Sequence, residues 1–225
     1  MNILCVVAHQ LELDPFREKF TEAEQFNTGQ GSLYRVTNVD YTVNLMRTGI
    51  GLERAGESLH RTLQFLVGEE SALPDLVINF GTCGAIHPDR TVGDLVIGTS
   101  VLAEDQPQIQ LDTTWIKRFR EYLQSENNPE IEGIIYSTEK AVADERTRHR
   151  IYQETNAQIV EMECYRLAEI ASENDIPLLA VKCISDNADE FLMKDFLVNV
   201  NEAMSKLSDI LSGFIREVQT QSRSR

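Results

Sequence analysis

Four carboxylates are spaced along the chain so that they could serve one reaction. Glu12 follows the first apolar run, Val160-Glu161-Met162-Glu163 carries two acids two residues apart, and Asp186 lies in Cys183-Ile184-Ser185-Asp186-Asn187, directly after another apolar run. A partly buried carboxyl group holds its proton to higher pH and can protonate a leaving group, whereas an ionised one can activate water. Where the backbone is extended, Glu161 and Glu163 point the same way. Each acid also has a purely structural reading. Asp186 or Asp189 suits the cap of the last helix, and Glu12, Glu161 and Glu163 suit a helix N-terminus, where negative charge is favoured.

Two glycine turns accompany these acids. Thr48-Gly49-Ile50-Gly51 and Gly81-Thr82-Cys83-Gly84 both follow strand-like runs, and glycine there lets the backbone turn sharply and approach a ligand. Neither is a dinucleotide fingerprint or a phosphate loop ending in Gly-Lys-Ser/Thr. The four histidines (His9, His60, His87 and His149) form no HExxH or Cys/His cluster, so no metal site is expected. No Gly-x-Ser-x-Gly elbow signals a serine hydrolase. The run Glu145-Arg146-Thr147-Arg148-His149-Arg150 reads as a solvated helix face.

The elements that must position these groups alternate in type. Asn2–Ala8 is a short unbroken apolar run, the pattern of a strand covered on both faces; Leu76–Phe80 reads as another buried strand and Leu178–Ile184 as a strand. Leu33–Val39 and Tyr41–Met46 read as a hairpin across Asn38-Val39-Asp40, after a turn at Gly29 and Gly31. Asp94–Leu102 and Ile131–Tyr136 are further strands. Helices are expected over Glu12–Phe20, Leu52–Val67, Thr114–Gln124, Asp144–Glu154, Met162–Asn174 and, as one or two pieces, Asp189–Val218. The pattern predicts an α/β fold, one three-layer domain over residues 1–218 with a central mixed sheet flanked by helices. A polar, frayed tail is expected over 219–225. Ligands of such folds bind beyond the carboxyl ends of the strands, where the acids and glycine turns fall.

Composition removes several classes of partner. The 225 residues carry a formal net charge of −15, which argues against binding nucleic acid or an anionic membrane. No apolar stretch approaches the roughly 20 residues of a membrane span, and no leader is visible. Four scattered cysteines without a CxxC pair fit buried thiols in a reduced cytoplasmic setting.

Together, Val77-Ile-Asn-Phe-Gly-Thr-Cys-Gly84, Val160-Glu-Met-Glu163 and Ile184-Ser-Asp-Asn-Ala-Asp189 resemble, in order and spacing, the purine nucleoside phosphorylase/uridine phosphorylase superfamily. The resemblance is strongest to its methylthioadenosine/S-adenosylhomocysteine nucleosidase branch and runs from Ile3 to the final helix. It implies hydrolysis of the N-glycosidic bond of a 5′-modified purine nucleoside, without cofactor, by a homodimer. It casts Glu12 as the residue acting on the attacking water and Asp186 as the acid that protonates the base at N7. It gives Glu163 the ribose hydroxyls and packs Met162 on the sugar. Thr82, Gly84, Val142, Glu161 and Ser185 join them in the substrate site.

Three features bear on this expectation. Asn79 stands where phosphorylases carry a phosphate-clamping arginine, which favours water over phosphate, while Arg47 is a candidate anion contact. In Ser137-Thr-Glu-Lys-Ala-Val142, Ala141 occupies the position of the branch's base-stacking aromatic residue. The segment from Val101 to Ile116 is shorter than in that branch, so a futalosine-like nucleoside is an alternative substrate. Phosphate-dependent cleavage, and nucleoside binding without turnover, remain the competing functions.

Overall fold

The computed structural model describes residues 1–20, 23–28, 32–38, 41–69 and 71–222. In chain order its elements are β1 (Asn2–Val7), α1 (Gln10–Arg17), β2 (Glu24–Asn27), β3 (Ser32–Asn38), β4 (Tyr41–Arg47), α2 (Leu52–Gly68), β5 (Leu76–Ala85) and β6 (Leu95–Ala103). They continue with β7 (Ile109–Gln110), α3 (Thr113–Ser125), β8 (Ile131–Ser137), α4 (Glu145–Thr155), β9 (Ile159–Glu161), α5 (Cys164–Glu173), β10 (Leu178–Asp186) and α6 (Leu192–Ser222). All ten strands belong to one mixed sheet. Helices α1 and α6 pack on each other, as do α2 and α5, and α6 lies on β5 and β10.

The apolar runs occupy the middle of this sheet, as expected. β1 is parallel to both β4 and β5, and β10 is parallel to β5. β3 continues the other wing antiparallel to β4, and β2 ends it antiparallel to β3. Beyond β5 the sheet closes on itself. β5 pairs with β10 from Val77 to Gly84, and Gly84 and Ala85 at its end also pair antiparallel with β9. β9 is parallel to β8, β8 to β6, and β6 returns antiparallel to β10. This ring of five strands gathers the carboxyl ends of β5, β8, β9 and β10 around one point. The core continues beneath it, with the Phe16 and Phe80 rings 4.5 Å apart and Phe119 and Phe214 4.9 Å apart.

Some boundaries differ from expectation for local reasons. The first helix ends at Arg17 because residues 18–20 tighten into three-residue turns (Lys19 N–H to Phe16 O, Phe20 N–H to Arg17 O). α5 begins at Cys164 rather than Met162, since Met162 and Glu163 form the bend out of β9. The closing segment is one helix that passes Val218 and reaches Ser222, and Gln219 is buried, so the expected polar tail starts too early. β2, β7 and β9 are too short to leave a periodic trace. The turn at Gly29 and Gly31, the hairpin tip at Val39 and Asp40, and the tail residues 223–225 lie outside the described residues. Among those described, no helix is long and apolar enough to cross a membrane.

Candidate active site

A cavity of about 390 Å³ opens where those strand ends meet. Glu12, Thr82, Gly84, Val142, Glu161, Met162, Glu163, Ser185 and Asp186 all line it. Arg47 does not. It is exposed at the end of β4 and faces a separate small cleft with Arg61 and Thr62, which corrects its expected place as an anion contact here. Asn79 lies buried inside β5, its side chain turned toward the Val6 carbonyl and away from the cavity lining.

Glu12 serves its helix and the cavity at once. His9 caps α1, and the Glu12 carboxylate closes a capping box by accepting the His9 N–H at 2.9 Å on Oε2. Its other oxygen accepts both the N–H and the hydroxyl of Thr82, each at 2.8 Å. Helix α1 is thereby tied to the glycine turn after β5. Gly81 makes this possible: it sits at φ +146, and a Cβ there would lie 2.8 Å from Glu12 Oε1.

Glu161 is held by the protein on both oxygens. Ser137 donates its hydroxyl at 2.5 Å and Lys182 its ammonium at 3.1 Å, while the N–H groups of Glu163 and Cys164 supply the rest. Glu161 therefore caps α5 from the end of β9, and the two acids of Val-Glu-Met-Glu divide their work. Burial alone would push the Lys182 pKa down, yet the surrounding carboxylates, Glu161 foremost, hold it above the ordinary lysine value.

Glu163 reaches instead toward Gly51, whose N–H it accepts at 2.9 Å. Burial, and then the negative charge of Glu161, push the Glu163 pKa up to about 8. A carboxyl group whose folded pKa is raised keeps its proton in the native state, so stability falls as pH rises from the unfolded value toward about 8. Replacing Glu163 by Gln keeps an acceptor for Gly51 and removes that titration. The expected outcome is a variant more stable than wild type by at least about 1 kcal/mol at pH 9, with a smaller difference at pH 5. Thermal melts across that range test it, and equal pH dependence of the two proteins would refute it.

Asp186 sits at the end of β10, buried, with Oδ2 accepting the Ser185 hydroxyl and Oδ1 the Ala188 N–H, each at 2.9 Å. Ile184 faces Cys83 in the ladder and Asp186 faces Gly84, so Ser185 is an extra, bulged residue. The bulge turns Asp186 into the cavity. Burial raises its pKa above the usual carboxylate range, against the pull of the Ala188 and Ser185 bonds. A Cβ at Gly84 would fall 2.8 Å from Asp186 Oδ1, so that glycine gives the acid its space. Asp189 accepts the Phe191 N–H at 2.9 Å in the turn that leads into the last helix.

Two residues outside the expected set brace this turn. Arg148 donates to the Asn187 carbonyl at 3.0 Å, which corrects the reading of its helix face as wholly solvated, and Asn199 donates to the Ser185 carbonyl at 2.8 Å. His9, Ile50, Leu192, Met193 and Phe196 also line the cavity. His9 had been visible only as a sparse histidine, and the others as members of apolar patterns. The four cysteines are free and buried, and burial raises their thiol pKa values, Cys183 to about 11. They stay protonated and are poor nucleophiles.

Known proteins resemble this chain in sequence and in fold. The model of the phosphorylase superfamily matches residues 2–216. A 5′-methylthioadenosine/S-adenosylhomocysteine nucleosidase of Bacillus cereus strain B4264 is 25% identical over 236 residues, covering 93% of this chain and 100% of the relative. Among solved structures, a futalosine hydrolase mutant of Helicobacter pylori superposes with a TM-score of 0.88 at 18% identity, covering 96% of this chain and 99% of the other. An S-adenosylhomocysteine nucleosidase of Streptococcus pyogenes, in complex with 5-methylthiotubericidin, gives 0.85 at 21% identity over 96% and 97% of the two chains.

Proposed function

The chain belongs to the phosphorylase superfamily, and from that premise we propose that it is a nucleosidase, hydrolysing the N-glycosidic bond of a 5′-modified purine nucleoside. The observation that carries this reading is the convergence of Glu12, Glu163 and Asp186 on one cavity, each held by different protein donors. Cleaving a ribosyl C–N bond builds positive charge on the sugar and negative charge on the base. Asp186 gives its proton to the departing base. Glu12 takes a proton from the water whose oxygen bonds the anomeric carbon, much as paired carboxylates divide the work in glycoside hydrolysis. Glu163 holds the ribose hydroxyls and Met162 packs on the sugar. Glu161 fixes the bend that carries them both.

Water is favoured over phosphate because no lysine or arginine lines the cavity among the described residues, while the Glu12 carboxylate, which repels an anion, does. The 5′ substituent is suggested by the relatives' names. The chain is read as one domain, its last helix running to Ser222, acting in the cytoplasm. A homodimer is supported by exposed apolar side chains concentrated around the start of α6, namely Phe191, Met193, Leu197 and Val198.

The test is a panel of nucleosides incubated with and without phosphate, followed by chromatography of base and sugar. Base and free pentose are expected in phosphate-free buffer. Dependence on phosphate with pentose 1-phosphate as product would overturn hydrolysis, and no released base would overturn catalysis.

A further inference from the structure

The wall that faces the leaving group is thin. The irregular segment between β8 and α4 separates the cavity from a neighbouring cleft of about 990 Å³, and Thr138, Ala141 and Val142 line both. Ala188, whose N–H is bonded to Asp186, packs with Val142, Val160 and Ile86 in a small apolar cluster distinct from the main core. A base protonated by Asp186 thus lies against Val142, and the next residue outward is Ala141, exposed and contributing one methyl group.

Past Ala141 the cleft is far larger than a purine ring needs. Tyr136 and Tyr165 offer aromatic surface in it, the Tyr165 hydroxyl being anchored on the Pro107 carbonyl at 2.9 Å. Its lining carries six carboxylates against the three cations Lys140, Arg150 and Arg166. That balance disfavours an anionic occupant and suits a neutral or cationic one.

We infer that the substrate's base carries, or is free to carry, a bulky neutral or cationic substituent that runs over Ala141 into this cleft. The class is the N-glycosides of purines extended on the exocyclic amine, with arylalkyl groups fitting the two tyrosines. This rests on the proposed nucleosidase reading and adds to it the leaving-group specificity.

The experiment compares adenine with N6-benzyladenine by calorimetric titration, and methylthioadenosine with its N6-benzyl derivative by initial rates, in wild type and in Ala141→Phe. Wild type is expected to bind and cleave the benzylated compounds at least as well as the plain ones. Ala141→Phe, which puts a ring at the boundary that the two cavities share, is expected to shift the ratio against the benzyl group by about tenfold or more, the scale of steric discrimination in a pocket. If wild type takes the plain compounds and rejects the benzylated ones, or if Ala141→Phe leaves the ratio unchanged, the inference falls and the nucleosidase reading stands. If neither base binds and neither nucleoside is cleaved, both fall. Melting curves report whether the variant is folded, and where it is not, the wild-type ratio decides.

Discussion

Asp186→Asn is expected to lower kcat by about 10²–10⁴-fold while leaving the fold intact, the usual contribution of a positioned proton donor. The substitution is close to isosteric. The asparagine carbonyl oxygen can still accept the Ala188 N–H, and the Ser185 hydroxyl can rotate to accept from the new amide. What disappears is the transferable proton. Because burial raises the Asp186 pKa, the wild-type acid form persists above the ordinary carboxylate range and is lost as pH rises through the raised value. The wild-type kcat profile should therefore carry an alkaline limb belonging to this group, and the variant's residual activity should lack it. KM should change little, since substrate contacts made by Glu163 and Met162 are untouched. Steady-state rates across pH, with melting temperatures as the folding control, decide the matter. A folded variant within about threefold of wild-type kcat would remove Asp186 from the chemistry.

The sequence made the framework of this site readable for a definite reason. β1, β5 and β10 are covered on both faces, so each is dominated by apolar residues, and the polar residues at their ends lie at the sheet's carboxyl edge. Glu12, Thr82 and Asp186 were found that way. Less visible was whatever depends on pairing between distant segments. β9 is three residues long and its role as the bridge between β5 and β8 has no local pattern. The Ser185 bulge exists only relative to Gly84 on another strand. Arg47 was a plausible anion contact by its place beside Gly49, but the parallel ladder with β1 carries it to an exposed strand end outside the cavity.

Glu161 shows the same limit in its energetics, through its pairing with Lys182. Lysine in the middle of a strand buried throughout is an anomaly by composition alone, and its meaning appears only when Glu161 is found 3.1 Å away. Both side chains are almost wholly buried, at 3% and 2% exposure. Removing one charge of such a pair leaves the other desolvated and uncompensated, so Lys182→Met should cost about 3–5 kcal/mol. For a chain of this size that is a fall of roughly 6–20 °C in melting temperature. The double variant Glu161→Gln/Lys182→Met removes both charges and keeps the Ser137 bond, so it should recover a substantial part of the loss. Lys182 touches no residue expected to meet substrate except through Glu161, which makes it a positioning residue. Its loss should loosen the bend that carries Met162 and Glu163, and KM for the nucleoside should rise more than kcat falls. Lys182→Arg keeps the charge and should rescue stability in part. A merely space-filling lysine predicts otherwise: Lys182→Met would be tolerated, the double variant would add nothing, and KM would stay put. Denaturation and kinetics of wild type, Glu161→Gln, Lys182→Met and the double variant form a double-mutant cycle that separates the two accounts.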